Sequence, residues 1–225
     1  MKKLLLILIV PMLLISSVVC QNKIRIEPYF MPQIILTGKD YIVSELNPVP
    51  VSKNNVIKYS TGLNFEYRFS NISFGTGLGI SKKGQDFQIS FNNLARTYRI
   101  NINYFEIPIY LKYHPIKINK KVNVDILGGF YFSKLYHESD NYQQVIPEYI
   151  LLPNAGSWYE ENDLGVIIGF EFDYRINNKL LIGTSLIYEV GLKSIYSEEP
   201  WGYIYKLKDS KNNLLGIRLG LIFEI

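Results

Sequence analysis

The chain has 225 residues, a formal net charge of +4, 20% charged and 14% aromatic residues, one cysteine and two histidines. That length suits a single domain, and with the charge near balance nothing points to a nucleic-acid surface or a disordered tail. One cysteine excludes an internal disulfide, and with two distant histidines it excludes a Cys/His zinc site. A mean hydropathy of +0.04 is, as an average, that of a soluble domain.

The chain opens as an address. Lys2 and Lys3 precede the apolar run Leu4 to Val19, which Pro11 interrupts, and the sequence turns polar at Gln21-Asn22-Lys23. That order is a secretory signal peptide, too short and too broken for a spanning helix. Residues 1–20 are expected to be cut after Cys20, leaving residues 21–225 as the barrel domain. Acylation of a retained Cys20 is the alternative, and Val19 is a poor residue to precede it.

From there the pattern has period two. Ile24, Ile26 and Phe30 oppose Arg25, Glu27 and Tyr29 within a first strand over 24–36. Residues 59–69 set Tyr59, Thr61, Leu63, Phe65, Tyr67 and Phe69 against Ser60, Gly62, Asn64, Glu66 and Arg68; residues 72–81 set Ile72, Phe74, Thr76, Leu78 and Ile80 against Ser73, Gly75, Gly77, Gly79 and Ser81. The same alternation predicts strands over 103–113, 122–133, 164–175, 179–193 and 214–225, with Asn177-Asn178 as a tight turn. That makes eight strands and no helix. Short connections fall at Asn71, 114–121 and Asn177-Asn178; long polar ones fall near 37–56, 82–100, 134–158 and 194–213. Tight turns at one rim and long loops at the other predict an all-β, eight-stranded, antiparallel, up-and-down transmembrane barrel.

Which face points outward decides the class. The polar face carries many glycines with Arg25, Glu27, Glu66, Arg68, Glu106, Lys112, Asp125, Glu171, Asp173, Arg175, Glu189, Lys193, Arg218 and Glu224. Eight acids and six bases can largely neutralise one another, so this set is expected to form an ion network inside a narrow barrel. Glu106 is expected to pair with a base such as Lys112 or Arg218. The Leu, Ile and Phe face then meets lipid, with Tyr59, Phe69, Tyr113, Phe132, Tyr174, Tyr188 and Phe223 near strand ends as an interfacial girdle. A soluble lipocalin-like binder would reverse the two faces, and its calyx could not hold so large an apolar set.

Asn103-Tyr104-Phe105-Glu106-Ile107-Pro108-Ile109-Tyr110-Leu111-Lys112-Tyr113 resembles a strand of the outer-membrane β-barrel domain proteins that include the PorT family. Gly77-Leu78-Gly79-Ile80-Ser81-Lys82-Lys83-Gly84 and Asp163-Leu164-Gly165-Val166-Ile167-Ile168-Gly169-Phe170-Glu171 are similar to two further segments of that family. The first strand departs from it, with Pro28, Phe30 and Pro32 where a glycine-rich start is usual. The resemblance implies an outer-membrane barrel of the Bacteroidetes type. One branch of the family acts in type IX secretion, and no motif here selects that branch.

Candidate chemistry is sparse. Glu171 and Asp173 share a face as a catalytic carboxylate pair would, but Arg175 follows on that face and points to an ion network. His114 and His137 are expected near opposite rims, and the loop triplet His137, Ser139 and Asp140 is a weak coincidence. No Gly-x-Ser-x-Gly, HExxH or phosphate loop is present. The expectation is therefore no catalytic site, no metal and no cofactor. The long loops concentrate Tyr136, Tyr142, Tyr149, Trp158, Tyr196, Trp201, Tyr203 and Tyr205, which suits contact with a ligand or partner as well as packing within the loops. The expected partners are outer-membrane lipid and protein components of secretion or assembly, with no nucleic acid and a monomeric barrel. A small-solute channel is the alternative function.

Overall fold

The computed structural model describes residues 23–36, 42–43, 51–84, 86–91, 94–117, 121–140, 159–194, 206–207 and 211–225. The leader 1–20 and the loop aromatics Tyr142, Tyr149, Trp158, Tyr196, Trp201, Tyr203 and Tyr205 lie outside the described residues.

Twelve strands are described: β1 (Lys23–Leu36), β2 (Ile42–Val43), β3 (Val51–Asn54), β4 (Val56–Phe69), β5 (Ile72–Lys83), β6 (Asp86–Phe91), β7 (Leu94–Lys117), β8 (Val122–Asp140), β9 (Asn162–Arg175), β10 (Leu180–Gly191), β11 (Lys206–Leu207) and β12 (Asn213–Glu224). Eight of them close a barrel in the order β1-β4-β5-β7-β8-β9-β10-β12, and β12 pairs back on β1. Every neighbouring pair in that circuit is antiparallel. Closure leaves no barrel edge unpaired, which a lipid environment demands because no water is there to satisfy a free N–H or C=O.

The tight rim is built by local chemistry. Ser70 turns the chain between β4 and β5 with φ of 49°. Between β9 and β10, Asn177 Oδ1 accepts from the backbone N–H groups of Lys179 and Leu180 at 2.9 and 3.0 Å, an Asx turn.

Five of the expected connections are partly strand: 37–56 holds β2 and β3, and 194–213 holds β11. β7 continues to Lys117, so His114 is a strand residue; β8 runs to Asp140; and β6 pairs with the start of β7 inside the segment 82–100. At the long-loop rim β3, β6, β7 and β8 thus rise beyond the barrel as a sheet. Polar residues in these stretches mask the alternation; at the end of β8, Tyr136, His137 and Ser139 are exposed together, so no single face is buried there to impose it.

The Leu, Ile and Phe face points outward: Leu78, Phe130, Phe172, Ile217 and Leu219 are about half exposed. Tyr113, Tyr174 and Phe223 ring the tight-turn end, and Tyr59 and Phe132 the other. The opposite face is buried.

Candidate functional site

Among the described residues the fold gathers its chemistry in the lumen, and the lumen is layered. Near the tight-turn rim, Arg25 binds Glu224 Oε1 at 2.7 Å and Asp173 Oδ2 at 3.0 Å and stands 3.6 Å from Glu66. Lys112 Nζ lies 2.6 Å from both Glu66 and Glu171. The Arg218 guanidinium meets Glu171 Oε2 at 2.7 Å and Glu27 at 3.6 Å; Ser185 and Asn64 complete the two carboxylates as donors. Arg175 and Lys23 close the rim on Glu224 at 2.9 and 2.7 Å. His114 Nδ1 lies 2.8 Å from Asp125, and its Nε2 is within hydrogen-bond distance of Ser73 Oγ at 2.5 Å.

The middle layer is apolar. Tyr29, Met31, Leu127, Ile167 and Ile187 are buried together, and Tyr110 is buried beside Gly75. The inward glycines make this possible. A Cβ on Gly75 would meet the Tyr110 ring, and one on Gly165 would meet both the Tyr131 ring and the Val190 carbonyl. A void of about 20 Å³, bordered by Asn64, Glu106, Glu189, Arg218 and the apolar layer, has room for a single water.

The upper layer centres on Lys83, which is fully buried. Its Nζ lies 2.9 Å from Glu106, 3.5 Å from Glu189 and 3.6 Å from Asp163, and 4.1 Å above the centre of the Tyr131 ring. Ser133 donates to Glu106 at 3.1 Å, and Asn212 and Tyr131 donate to Asp163 at 2.9 and 3.2 Å.

Twelve of the fourteen residues expected inside are buried; Arg175 is partly exposed at the rim, and Lys193 is a correction. Lys193 is exposed, because β10 ends at Gly191 and the alternation stops with the sheet. Arg68 is buried and donates to the Ser70 carbonyl at 3.2 Å. The expected partner of Glu106 is also corrected. Lys112 lies six residues along the same strand, roughly 20 Å away, and Arg218 serves the lower layer, so Lys83 takes that place. Lys83, Asp163 and His114 were absent from the expected set. Each lies two residues beyond an inward-facing neighbour, Ser81, Gly165 and Lys112, so a longer alternating window finds them.

Glu171 and Asp173 do not act as a free carboxylate pair, since Lys112, Arg218 and Arg25 bind them. Asp125, Glu171 and Asp173 approach one another closely enough for a metal ion, but these same cations already meet the charge of Glu171 and Asp173. His114 and His137 are at opposite ends of the barrel wall. Tyr136, expected in a loop, is on β8 and stacks on Phe105 at 4.4 Å between ring centroids.

With a closed barrel, an apolar exterior and a charged interior established, the sequence of residues 43–197 matches the family described as outer membrane protein beta-barrel domain. The chain belongs to that family. It is an integral protein of the outer membrane, in contact with lipid. No curated protein matches the chain in sequence. Among solved structures, it is similar to Neisserial surface protein A, with a TM-score of 0.50 and 11% identity over 91% of this chain and 97% of that one. It also aligns with the N-terminal β-barrel domain of Pseudomonas aeruginosa OprF, with a TM-score of 0.46 and 11% identity over 92% of this chain and 99% of that one. A third match is the outer membrane protease OmpT of Escherichia coli, with a TM-score of 0.44 and 10% identity over 93% of this chain and 98% of that one. Identity this low speaks for architecture only, and one architecture hosts many functions.

Proposed function

We propose that this outer-membrane barrel is a monomeric, non-enzymatic mount whose filled lumen holds long extracellular loops rigidly against a ligand or protein partner. The observation that carries this is the layering: a charged layer, an apolar layer and a second charged layer stack across the lumen. Moving a hydrated solute would mean breaking buried ion pairs at both ends, each costly to separate. The extended sheet of β3, β6, β7 and β8 raises one side of the loop rim above the membrane and supports a presenting role.

Planar-bilayer conductance tests it. The purified barrel is expected to stay silent across applied voltages while shifting on unboiled SDS gels; steady unitary steps would overturn the filled lumen in favour of a small-solute channel. The leader 1–20 is taken to export the chain with cleavage after Cys20, which N-terminal sequencing of the mature protein checks. The motifs at 77–84, 103–113 and 163–171 support a place among PorT-like members, and a crosslinking pull-down that recovers secretion components would assign the branch.

A further inference from the structure

The outward face of the barrel is uncharged almost everywhere. Along β1, β4, β9, β10 and β12 no outward position between the rims holds a carboxylate, lysine, arginine or histidine. Lys82 on β5 and Lys134 on β8 break that rule, and both stand at the long-loop end, flanking the same strand. Lys82 is paired in register with Asn103 of β7, and Lys134 with Phe105. Two strand spacings across and two residues along put their Cα atoms roughly 12 Å apart.

Aromatic rings build the floor. Lys82 Nζ lies 4.4 Å from the Tyr59 ring centre, and the Phe105–Tyr136 stack sits beside Lys134. Higher on β7, Arg99 pairs with Asp86 at 3.2 Å, whereas among the described residues no ion pair takes the charge of Lys82 or Lys134. Lysines that merely snorkel to an interface need no particular sector and no ring beneath them. Here both fall in one sector, and the matching rim positions of the opposite wall are Leu36, Val190 and Asn213.

We propose that Lys82 and Lys134, with Tyr59, Asn103, Phe105 and Tyr136, bind the anionic, phosphorylated headgroup of an outer-leaflet lipid whose acyl chains lie on the apolar wall below. The chemistry is charge complementarity at the headgroup level, where basic side chains near an anionic surface each contribute measurably, joined to the continuous apolar band that holds the chains.

Native mass spectrometry of the full barrel, released from vesicles mixing phosphatidylcholine with a phosphorylated anionic lipid, reads the preference directly. The wild type is expected to retain anionic over zwitterionic lipid. Lys82→Gln with Lys134→Gln is expected to cut that preference by roughly an order of magnitude, each single change by less, with the unboiled gel shift intact. Lysines moved to the opposite sector, Leu36→Lys and Val190→Lys in the double-Gln background, should not restore it. Unchanged preference in the double variant, or full restoration by the relocated lysines, overturns the site. Equal competition by inorganic diphosphate also overturns it, because the ligand would then be a free phosphate rather than a lipid.

Discussion

Lys83 is where the interior is most exposed to a single change. Three carboxylates, Glu106, Asp163 and Glu189, surround this one amine, so the upper layer already holds an excess of negative charge. Lys83→Met preserves the chain's length and removes its charge, leaving all three carboxylates buried without a cation. Breaking a buried pair by removing one partner costs about 3–5 kcal/mol, or roughly two to three and a half powers of ten in the folded fraction. Glu189→Gln should act in the opposite sense. Glu189 stands 3.5 Å from Lys83 while Glu106 holds the shorter contact at 2.9 Å, so neutralising Glu189 removes repulsion and little attraction. Stability is expected to be unchanged or raised. Combining it with Lys83→Met should recover part of the loss, because the two changes share one cluster. Urea unfolding in vesicles, followed by the unboiled gel shift, measures all three. If Lys83→Met unfolds at the wild-type midpoint, or Glu189→Gln is as damaging as Lys83→Met, the charge excess is not what governs this layer.

Gly165→Val should destabilise by about 1–3 kcal/mol, read as a lower urea midpoint, since its side chain would collide with Tyr131 and with the Val190 backbone; wild-type stability would mean the ring moves aside freely. Lys193→Gln, outside the lumen, should shift stability by less than about 0.5 kcal/mol, and a larger loss would return Lys193 to the ion network. Pro28 and Pro32 interrupt the β1–β12 ladder, which has no register pair at Glu27–Pro28 or Met31–Pro32. The mutual Ile24–Ile225 hydrogen bonds show that even-numbered β1 residues face β12, so each proline removes a donor from that seam. Pro28→Ala with Pro32→Ala should slow amide exchange at Leu221 and Ile217; unchanged exchange would show that the gaps do not loosen the seam.

Much of the architecture is written in the period-two pattern. The eight wall strands, their tight turns and their two faces follow from alternation that is sharp wherever one side meets lipid and the other a crowded lumen. Alternation loses its meaning where that contrast ends. Lys193 is misplaced just past Gly191, and Lys83 is hidden just before the polar stretch that forms β6, for the same physical reason. Pairing is a separate problem. The inward direction of Glu106 is legible from its neighbours Ile107 and Phe105, but its partner depends on strand register: β5 sets Gly79 opposite Glu106, and Lys83 reaches the carboxylate from four residues further along.

The glycines of the inner face carry the same lesson in terms of volume. From sequence they read as small residues required by a narrow barrel, a statement about average space. In the structure the space is used: Tyr110 lies over Gly75, Tyr131 over Gly165, and the Tyr29 hydroxyl reaches Gly62 and Gly79. Each tyrosine fills the lumen from one strand because its register partner on the neighbouring strand has given up its side chain. The lumen is therefore closed by complementary pairs of large and absent side chains as well as by charge, and replacing the ion pairs alone with neutral residues would not open a continuous path. Conductance should stay absent in a variant with both charged layers neutralised, and should appear only when the tyrosines are truncated too. A channel opened by neutralising the charges alone would show that the apolar middle layer does not seal.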